Sequence, residues 1–93
     1  MNDVFNTAFS SWKDSWILDS GATYHMTFRR DFFETSSDDI DGFIYFVDKS
    51  QIKPCDIGSI RLKIPNLVDY VLHYVLYIPQ FQRNLMSLIH IRK

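Results

Sequence analysis

The stretch from Tyr70 to Ile78 limits the folds open to this chain more than any other part of its sequence. It is apolar at nearly every position, carries His73 in its middle and ends at Pro79. A run that is apolar on both faces is typical of a strand inside a sheet, and proline ends such a strand because it lacks an amide donor. The run is too short to span a bilayer. We therefore expect a β protein built around this strand, with no membrane partner.

Two further segments carry strand patterns of other kinds. Residues 15–18 are Ser, Trp, Ile and Leu, which predict a short buried strand. In residues 60–64, isoleucine and leucine alternate with arginine and lysine, the period of a strand with one face toward solvent. With the central strand they predict a mostly β fold in one small domain, because 93 residues supply a single core.

A β-hairpin is predicted between residues 43 and 55. Residues 43–47 are aromatic and β-branched, residues 48–51 are Asp, Lys, Ser and Gln, and residues 52–55 return the chain. Strand-forming residues on both sides of a short polar segment indicate a hairpin whose tip is the polar segment.

The segments on either side of these strands carry different patterns. Residues 29–42 are polar and acidic, which predicts a surface loop in which Phe32 and Phe33 pack inward. Asn84 is a good helix N-cap, and the apolar residues after it predict a helix that runs to about Ile91. The expected organisation is therefore mostly β with one C-terminal helix.

Charge and cysteine content argue against several classes of function. The 10 basic and 11 acidic residues give a net charge of −1, so no electrostatic footprint for nucleic acid is present. Cys55 is the single cysteine, which excludes an internal disulfide and a cysteine-rich metal site. The first residues lack the pattern of a secretory signal. A reducing compartment such as the cytoplasm fits these observations best.

The clearest chemical pattern lies in residues 16–22. Three apolar residues, 16–18, lead into the triplet Asp19-Ser20-Gly21, and the small residue Ala22 follows. An apolar strand can hold a carboxylate in a partly desolvated place, while glycine lets the backbone bend and lets other groups approach. Asp-Ser-Gly alone is also a common turn sequence. The preceding apolar strand is what makes Asp19 the candidate catalytic residue.

Three segments occur in a recognisable order along residues 16–91. They are residues 16–27 (WILDSGATYHMT), residues 57–62 (IGSIRL), and residues 75–79 (VLYIP) with 83–88 (RNLMSL). Together they resemble the protease region of copia-type retrotransposon polyproteins, a branch of the retroviral aspartic proteases. The first is similar to that family's catalytic Asp-Ser-Gly region, the second to the strand after its flap, and the third to its last core strand and the start of its helix.

The resemblance implies a closed, barrel-like retropepsin fold with one C-terminal helix, active as a two-fold symmetric homodimer. It implies an aspartic endopeptidase in which two Asp19 carboxylates share one proton and activate a water molecule. The implied substrate is a peptide, the transposon's own Gag-Pol polyprotein, in the cytoplasm or in virus-like particles. The mechanism needs no metal and no cofactor, and no nucleic acid takes part.

The same resemblance assigns roles to individual residues. Asp19 is catalytic, and the residues that support its turn are Ser20, Gly21 and Ala22. The hairpin of residues 43–55 is the flap that closes over the peptide, with its tip at residues 48–51. The flap residues assigned to the site are Phe46, Val47, Asp48, Lys49, Ser50 and Gln51. The motif at the start of the helix comprises Asn84, Leu85, Met86 and Ser87. Ile17, Leu18 and Val47 are candidate pocket walls, with a place in the core as the favoured alternative for each.

The sequence departs from the retroviral pattern in three places. Ser87 stands where retroviral enzymes have glycine after two apolar residues, although serine is usual in the copia branch. The hairpin tip has no glycine, whereas retroviral flaps are glycine-rich. Retroviral proteases also pair terminal strands at their dimer interface, whereas here Lys93 follows closely on the predicted helix. Two alternatives follow: either residues 1–14 take this role as an N-terminal arm or dimerisation strand, or the chain is cut from a longer polyprotein. Residues 15–93 are expected to form the protease domain.

Three other functions are compatible with parts of the sequence. A serine hydrolase would use Ser20, His25 and Asp31, although the nucleophile-elbow sequence is absent. A zinc site would use His25, His73 and His90, whose spacing matches no compact ligand pattern. A catalytically silent module of the same fold would dimerise or bind a polyprotein without cleaving it.

Overall fold

The computed structural model of the protein describes residues 2–5, 15–46, 48–63, 66 and 68–91. Within these residues the chain forms nine strands and one helical turn. The strands are β1 (Asn2–Phe5), β2 (Trp16–Asp19), β3 (His25–Thr27), β4 (Phe33–Ser37), β5 (Ile44–Tyr45), β6 (Gln51–Ile52), β7 (Asp56–Leu62), β8 (Tyr70–Tyr77) and β9 (Leu85–Ser87), and the helix is α1 (Leu88–Ile91). Turns of 3-10 helix occur at Arg30–Phe32 and Pro79–Phe81. The fold is mostly β, as predicted.

Seven strands form one sheet, in the order β1-β2-β9-β3-β8-β7-β4, and β5 pairs with β6 in a separate hairpin. Strand β8 lies inside the sheet, parallel to β3 and antiparallel to β7, as its apolar sequence predicted. Within the described residues the two edge strands, β1 and β4, do not pair with each other, so the sheet is open. The predicted closed barrel is therefore not present, because closure requires the edge strands to bond to each other.

The core consists of two apolar clusters. The first contains Trp16, Ile60, Leu62, Leu72, Val75 and Met86, and the second contains Met26, Leu76 and Ile78. Trp16 is only 1% exposed and stacks on Phe32, with the ring centroids 6.0 Å apart. Burying a large side chain of this kind contributes about 2–3 kcal/mol. Strand β2 is thus anchored at Trp16, which fixes the place where the chain emerges at Asp19.

The predicted surface loop at residues 29–42 is partly a strand. Residues 33–37 form β4, antiparallel to β7, and Phe32 and Phe33 pack against the core as predicted. Residues 34–37 are exposed, which explains why their polar sequence resembled a loop. A strand at the edge of a sheet carries polar side chains more often than an inner strand does.

The prediction of a helix from Asn84 to Ile91 is wrong for the first half of that range. Residues 85–87 form strand β9, which lies between β2 and β3, and only Leu88–Ile91 form a helical turn. Strand pairing on both sides satisfies the backbone of β9, and such tertiary pairing overrides a local helix propensity. Asn84 is consequently not a helix N-cap.

The N-terminal segment pairs within its own chain. Strand β1 runs antiparallel to β2, with Asn2 opposite Asp19. Residues 6–14 lie outside the described residues, so the predicted role of residues 1–14 in dimerisation stays a prediction.

Gly58 marks the closest approach between β4 and β7. A Cβ atom on Gly58 would lie 1.9 Å from the carbonyl oxygen of Thr35 and 2.7 Å from the Cα of Ser36. Both are backbone atoms, which cannot move aside as a flexible side chain can. Pairing of β4 with β7 therefore requires glycine at this position.

A β-bulge lies in the middle of β8. Between two consecutive ladder pairs, β7 contributes one residue whereas β8 contributes two, His73 and Tyr74. Tyr74 takes a left-handed backbone angle, φ 58°, and its side chain is 75% exposed. A non-glycine residue in the left-handed region of backbone angles is strained, and the bulge forces Tyr74 into that region.

Tyr74→Gly is expected to raise the free energy of unfolding by about 1 kcal/mol, because glycine adopts a left-handed angle without strain. The mostly exposed ring loses little burial. The matched control is His73→Gly at the neighbouring exposed position, which should lower stability by about 0.5–1 kcal/mol. Urea denaturation of the three proteins measures both changes. If Tyr74→Gly lost as much stability as His73→Gly, the backbone at Tyr74 would not be strained.

Candidate active site

Asp19 ends strand β2 and opens a tight turn. Its Oδ1 accepts a hydrogen bond from the amide of Gly21 at 2.9 Å, and its carbonyl oxygen accepts one from the amide of Ala22 at 3.4 Å. The side chain of an aspartate commonly closes a turn in this way. We call residues 19–22 the Asp19 turn. Ser20 and Gly21 are exposed on it, whereas Ala22 is buried.

Gly21 keeps space open beside the carboxylate. A Cβ atom there would lie 3.4 Å from Asp19 Oδ1. Its φ lies outside the left-handed region, so the turn does not need glycine for its backbone angle. The missing side chain instead leaves the Asp19 carboxylate accessible.

A cleft of about 490 Å³ lies against the Asp19 turn. Its described walls are mainly apolar and aromatic, and Asp19 is the one carboxylate among them. The lining residues are Asp19, Gly21, Ala22, Thr23, Tyr24, Met26, Phe43, Ile44, Tyr45, Phe46, Phe81 and Leu85. A concave apolar site with a single charged group is typical of ligand and substrate clefts.

The cleft walls differ from the predicted ones. Ile17 and Leu18 are not among the described lining residues, and Leu18 packs against the core cluster that contains Trp16. Val47 lies outside the described residues. Besides residues close to Asp19, the walls come from the segment around β5 and from Phe81 and Leu85. These follow Asp19 by more than twenty residues, so no local pattern around Asp19 indicates this part of the cleft.

The hairpin formed by β5 and β6 borders the cleft. Ile44 pairs with Ile52 and Tyr45 with Gln51. The ring of Phe46 stacks on Phe81, with the centroids 6.0 Å apart and the planes inclined by 13°. An aromatic contact of this kind stabilises the docked position of the hairpin by about 1 kcal/mol.

The tip of the hairpin turns without glycine. The amide of Lys49 donates to the carbonyl of Phe46 at 2.9 Å, and Lys49 itself takes a left-handed φ of 70°. Asp48 Oδ1 accepts hydrogen bonds from the Ser50 hydroxyl at 2.6 Å and from the Ser50 amide at 3.0 Å. The Ser50 hydroxyl is the main cause that holds the pKa of the Asp48 carboxyl below its ordinary value. The charged Asp48 thus orders the tip through its two hydrogen bonds with Ser50.

Asn84 joins three segments below the cleft. It is 1% exposed, and its Oδ1 accepts a hydrogen bond from the Thr27 hydroxyl at 2.5 Å. Its Nδ2 donates to the carbonyl of Ser15 at 3.0 Å, and its own carbonyl accepts from the amide of Ile17 at 2.8 Å. Asn84 thereby ties the start of β9 to both β2 and β3.

Ser87 fixes the opposite end of β9. It is 0% exposed and lies in register with Asp19 on the neighbouring strand. Its hydroxyl donates to the carbonyl of Ala22 at 2.6 Å, and its amide donates to Nδ1 of His25 at 2.9 Å. Of the four residues predicted to start a helix, Asn84 and Ser87 thus act as braces, Met86 lies in the core and Leu85 lines the cleft.

The competing arrangements do not assemble. His25 Nδ1 accepts the Ser87 amide, whereas a Ser–His–Asp relay requires that nitrogen to donate to the aspartate. Asp31 is engaged by Arg29, which lowers the pKa of the Asp31 carboxyl chiefly through a side-chain hydrogen bond. Within the described part of the chain, no group of three or more His, Cys, Asp or Glu side chains is placed to hold a metal ion. His73 is exposed on β8, and the side chain of His90 lies outside that part.

Asp56, in the Asp-x-Gly segment of residues 56–58, pairs with Arg30 and does not line the cleft. It is buried at the start of β7, and its Oδ2 lies 2.6 Å from Nη1 of Arg30. It is not among the described lining residues of the cleft. The cleft of one chain therefore holds a single described carboxylate, that of Asp19.

Comparisons with known proteins gave one family match. A family described as "Pol polyprotein, beta-barrel domain" matches residues 16–93. The match covers all described strands except β1. No match was found among curated proteins or among solved structures. In the described residues, no helix is long and apolar enough to cross a membrane.

Proposed function

Since the chain belongs to the family of Pol polyprotein beta-barrel domains, we propose that it is the aspartic endopeptidase of a retroelement Pol polyprotein, of the copia type that its motifs resemble. The observation that carries the proposal is the position of Asp19. Its carboxylate lies on a braced turn, at the wall of an apolar cleft that a hairpin borders. A carboxylate held in such a place is suited to activate water against a bound peptide.

The proposed chemistry needs a second carboxylate. One chain supplies only Asp19 to the described part of the cleft, and Asp56 is engaged by Arg30 away from it. A two-fold symmetric homodimer would supply a second Asp19 without a second motif. We therefore propose that the active form is a homodimer with its two Asp19 turns facing each other.

In the proposed reaction the two carboxylates share one proton, because two like charges so close cannot both ionise. The ionised Asp19 takes a proton from a water molecule, which attacks the carbonyl carbon of the peptide bond. The protonated Asp19 donates a hydrogen bond to the carbonyl oxygen and stabilises the charge that develops there. The apolar walls of the cleft strengthen both interactions by keeping other water away.

The proposed substrate is an extended peptide of the retroelement's own Gag-Pol polyprotein. The hairpin of β5 and β6 would act as the flap, since extended peptides bind by adding backbone hydrogen bonds to strand edges. The aromatic walls favour apolar side chains on the peptide. The proposed location is the cytoplasm or virus-like particles formed there.

A binding module without catalysis is the second candidate. Tyr24, Phe43 and Tyr45 are large exposed aromatic residues that line the cleft, and such side chains are common at binding surfaces. In this case the same cleft would hold a polyprotein segment and release it uncut.

Cleavage of an unstructured peptide library at increasing protein concentration separates these functions. The site needs two chains, so the rate should rise with the square of protein concentration when dilute, and linearly once dimers saturate. Mass spectrometry identifies the cut bonds, and sedimentation velocity measures the dimer fraction in the same samples. Cleavage proportional to the monomer fraction would overturn the dimeric site. Peptide binding without any cleavage by a demonstrated dimer would favour the silent module.

A further inference from the structure

We infer that His25 is a positioning residue for Asp19, and that it acts through Ser87 as a neutral imidazole with its proton on Nε2. The inference rests on the proposed function for its effect on turnover. The hydrogen bonds that carry it are a property of the folded chain and can be tested without turnover.

Strand β9 ends beside the start of its antiparallel neighbour β3. The ladder between these two strands has one registered pair, Met26 with Leu85. The amide of Ser87 lies beyond that pair and bonds to a side-chain atom, Nδ1 of His25, at 2.9 Å. His25 therefore extends the pairing of β9 to the residue that lies beside Asp19 in register.

The direction of this hydrogen bond sets the protonation of the imidazole. An amide nitrogen can only donate, so Nδ1 of His25 must accept and cannot carry a proton. In a neutral imidazole the proton then resides on Nε2. An imidazolium, or the other neutral form, would place an N–H group against the Ser87 N–H group. Both residues are buried, His25 at 2% and Ser87 at 0% exposure, so water cannot replace a lost partner.

Ser87 passes this constraint to the Asp19 turn. Its hydroxyl donates to the carbonyl of Ala22 at 2.6 Å, which fixes the last residue of the turn. The amides of Ala22 and Gly21 in turn bond to the carbonyl and the carboxylate of Asp19. A rotation of Ser87 would break its hydrogen bond to Ala22. The Asp19 turn would then no longer hold the Asp19 carboxylate in one orientation. His25 is thus two hydrogen bonds away from the Asp19 turn and touches no reacting atom.

The simplest alternative is that His25 only supports the core. A core role predicts that variants lose activity in proportion to lost stability, whatever polar group they carry. A positioning role predicts that an acceptor at the place of Nδ1 preserves the turn. His25→Asn keeps such an acceptor, because the Oδ1 of asparagine can occupy the place of Nδ1. His25→Leu has a similar size but no acceptor, which makes the two variants a matched pair.

Three measurements on these proteins test the inference. In the wild type, the ¹⁵N shifts of the His25 ring should show an unprotonated Nδ1 and a protonated Nε2. In His25→Leu, amide hydrogen exchange should accelerate at Ser87 and Gly21 more than in the core strand β8. In peptide cleavage, His25→Leu should lose about 100-fold in kcat with little change in KM, the usual effect of a misplaced catalytic group. His25→Asn should recover most of both losses.

Equal losses in the leucine and asparagine variants, or a protonated Nδ1 in the wild type, would overturn the inference. If His25→Leu does not fold, Ser87→Ala replaces it, because that variant removes only the hydroxyl that holds Ala22. Ser87→Ala should accelerate exchange at Gly21 while leaving the ring protonation of His25 unchanged, and unchanged exchange would overturn the inference. A wild type that cleaves no peptide would count against the proposed function alone, since ring protonation and amide exchange are still measurable.

Discussion

Asp19→Asn is expected to abolish peptide cleavage and leave the fold intact. Asparagine keeps an Oδ1 acceptor for the Gly21 amide, so the Asp19 turn should close as before. It cannot take a proton from water, and in a homodimer both copies of the group are lost at once. We expect kcat to fall on the order of 10³-fold or more. Cleavage of a defined peptide measures the loss, and Asp38→Asn at an exposed position of the chain is the control.

Mixing the variant with the wild type tests whether one site uses two Asp19 residues. After exchange of subunits between equal amounts, only wild-type homodimers would carry both carboxylates. Activity should then fall to about half that of the wild type alone, because half of its chains sit in mixed dimers. Unchanged activity after mixing would mean that each chain works independently. Cleavage by Asp19→Asn at the wild-type rate would remove Asp19 as the catalyst.

Gly58→Ala is expected to cause the largest loss of stability of any conservative change in the sheet. The added methyl carbon would lie 1.9 Å from the Thr35 carbonyl oxygen, far inside van der Waals contact. Strand β4 would have to separate from β7, which would also expose Phe33 from the core. We expect the free energy of unfolding to fall by about 3 kcal/mol or more, above the usual effect of overpacking. Small domains have only about 5–15 kcal/mol in total.

The control for this change is Ser59→Ala on the same strand. It removes one exposed hydrogen bond, between the hydroxyls of Ser59 and Thr35, and should lower stability by about 1 kcal/mol or less. Urea denaturation midpoints and slopes compare the two variants. A Gly58→Ala protein as stable as the control would show that β4 and β7 are farther apart than the structure has them.

Local sequence patterns predicted the inner strands, the hairpin and the position of Asp19. Apolar runs and period-two alternation indicate which side chains will be buried, and burial of these side chains stabilises β2, β7 and β8. The patterns failed where a distant partner decides the structure. Residues 85–87 have a helical pattern but form β9 because β2 and β3 flank them. Residues 34–37 have a loop-like composition but pair with β7 as an exposed edge.

The hydrogen bonds of Asn84 and Ser87 that hold β9 in place could not be predicted from local patterns either, because their partners are distant in the sequence. Asn84 and Thr27 are 57 positions apart, and Ser87 and His25 are 62 positions apart. No spacing within a single element indicates which buried polar side chains will meet over such distances. The resemblance to copia-type proteases placed Asn84 and Ser87 in a motif, but it predicted that this motif starts a helix. For His25 the sequence favoured a packed or edge residue over a hydrolase or zinc role, and it did not indicate the hydrogen bond to β9 that the structure shows.

Because β9 lies between β2 and β3, the domain can complete its sheet only after β9 has been synthesised. Asp19 and the hairpin are made early, but the strand that must enter between β2 and β3 is made near the end of the described chain. A domain generally folds as a unit, and its chain is synthesised from the amino terminus onward. A nascent chain that stops before Ser87 would carry Asp19 on an unbraced turn. If the chain has the proposed protease activity, processing of its polyprotein would start only after Ser87 has been synthesised.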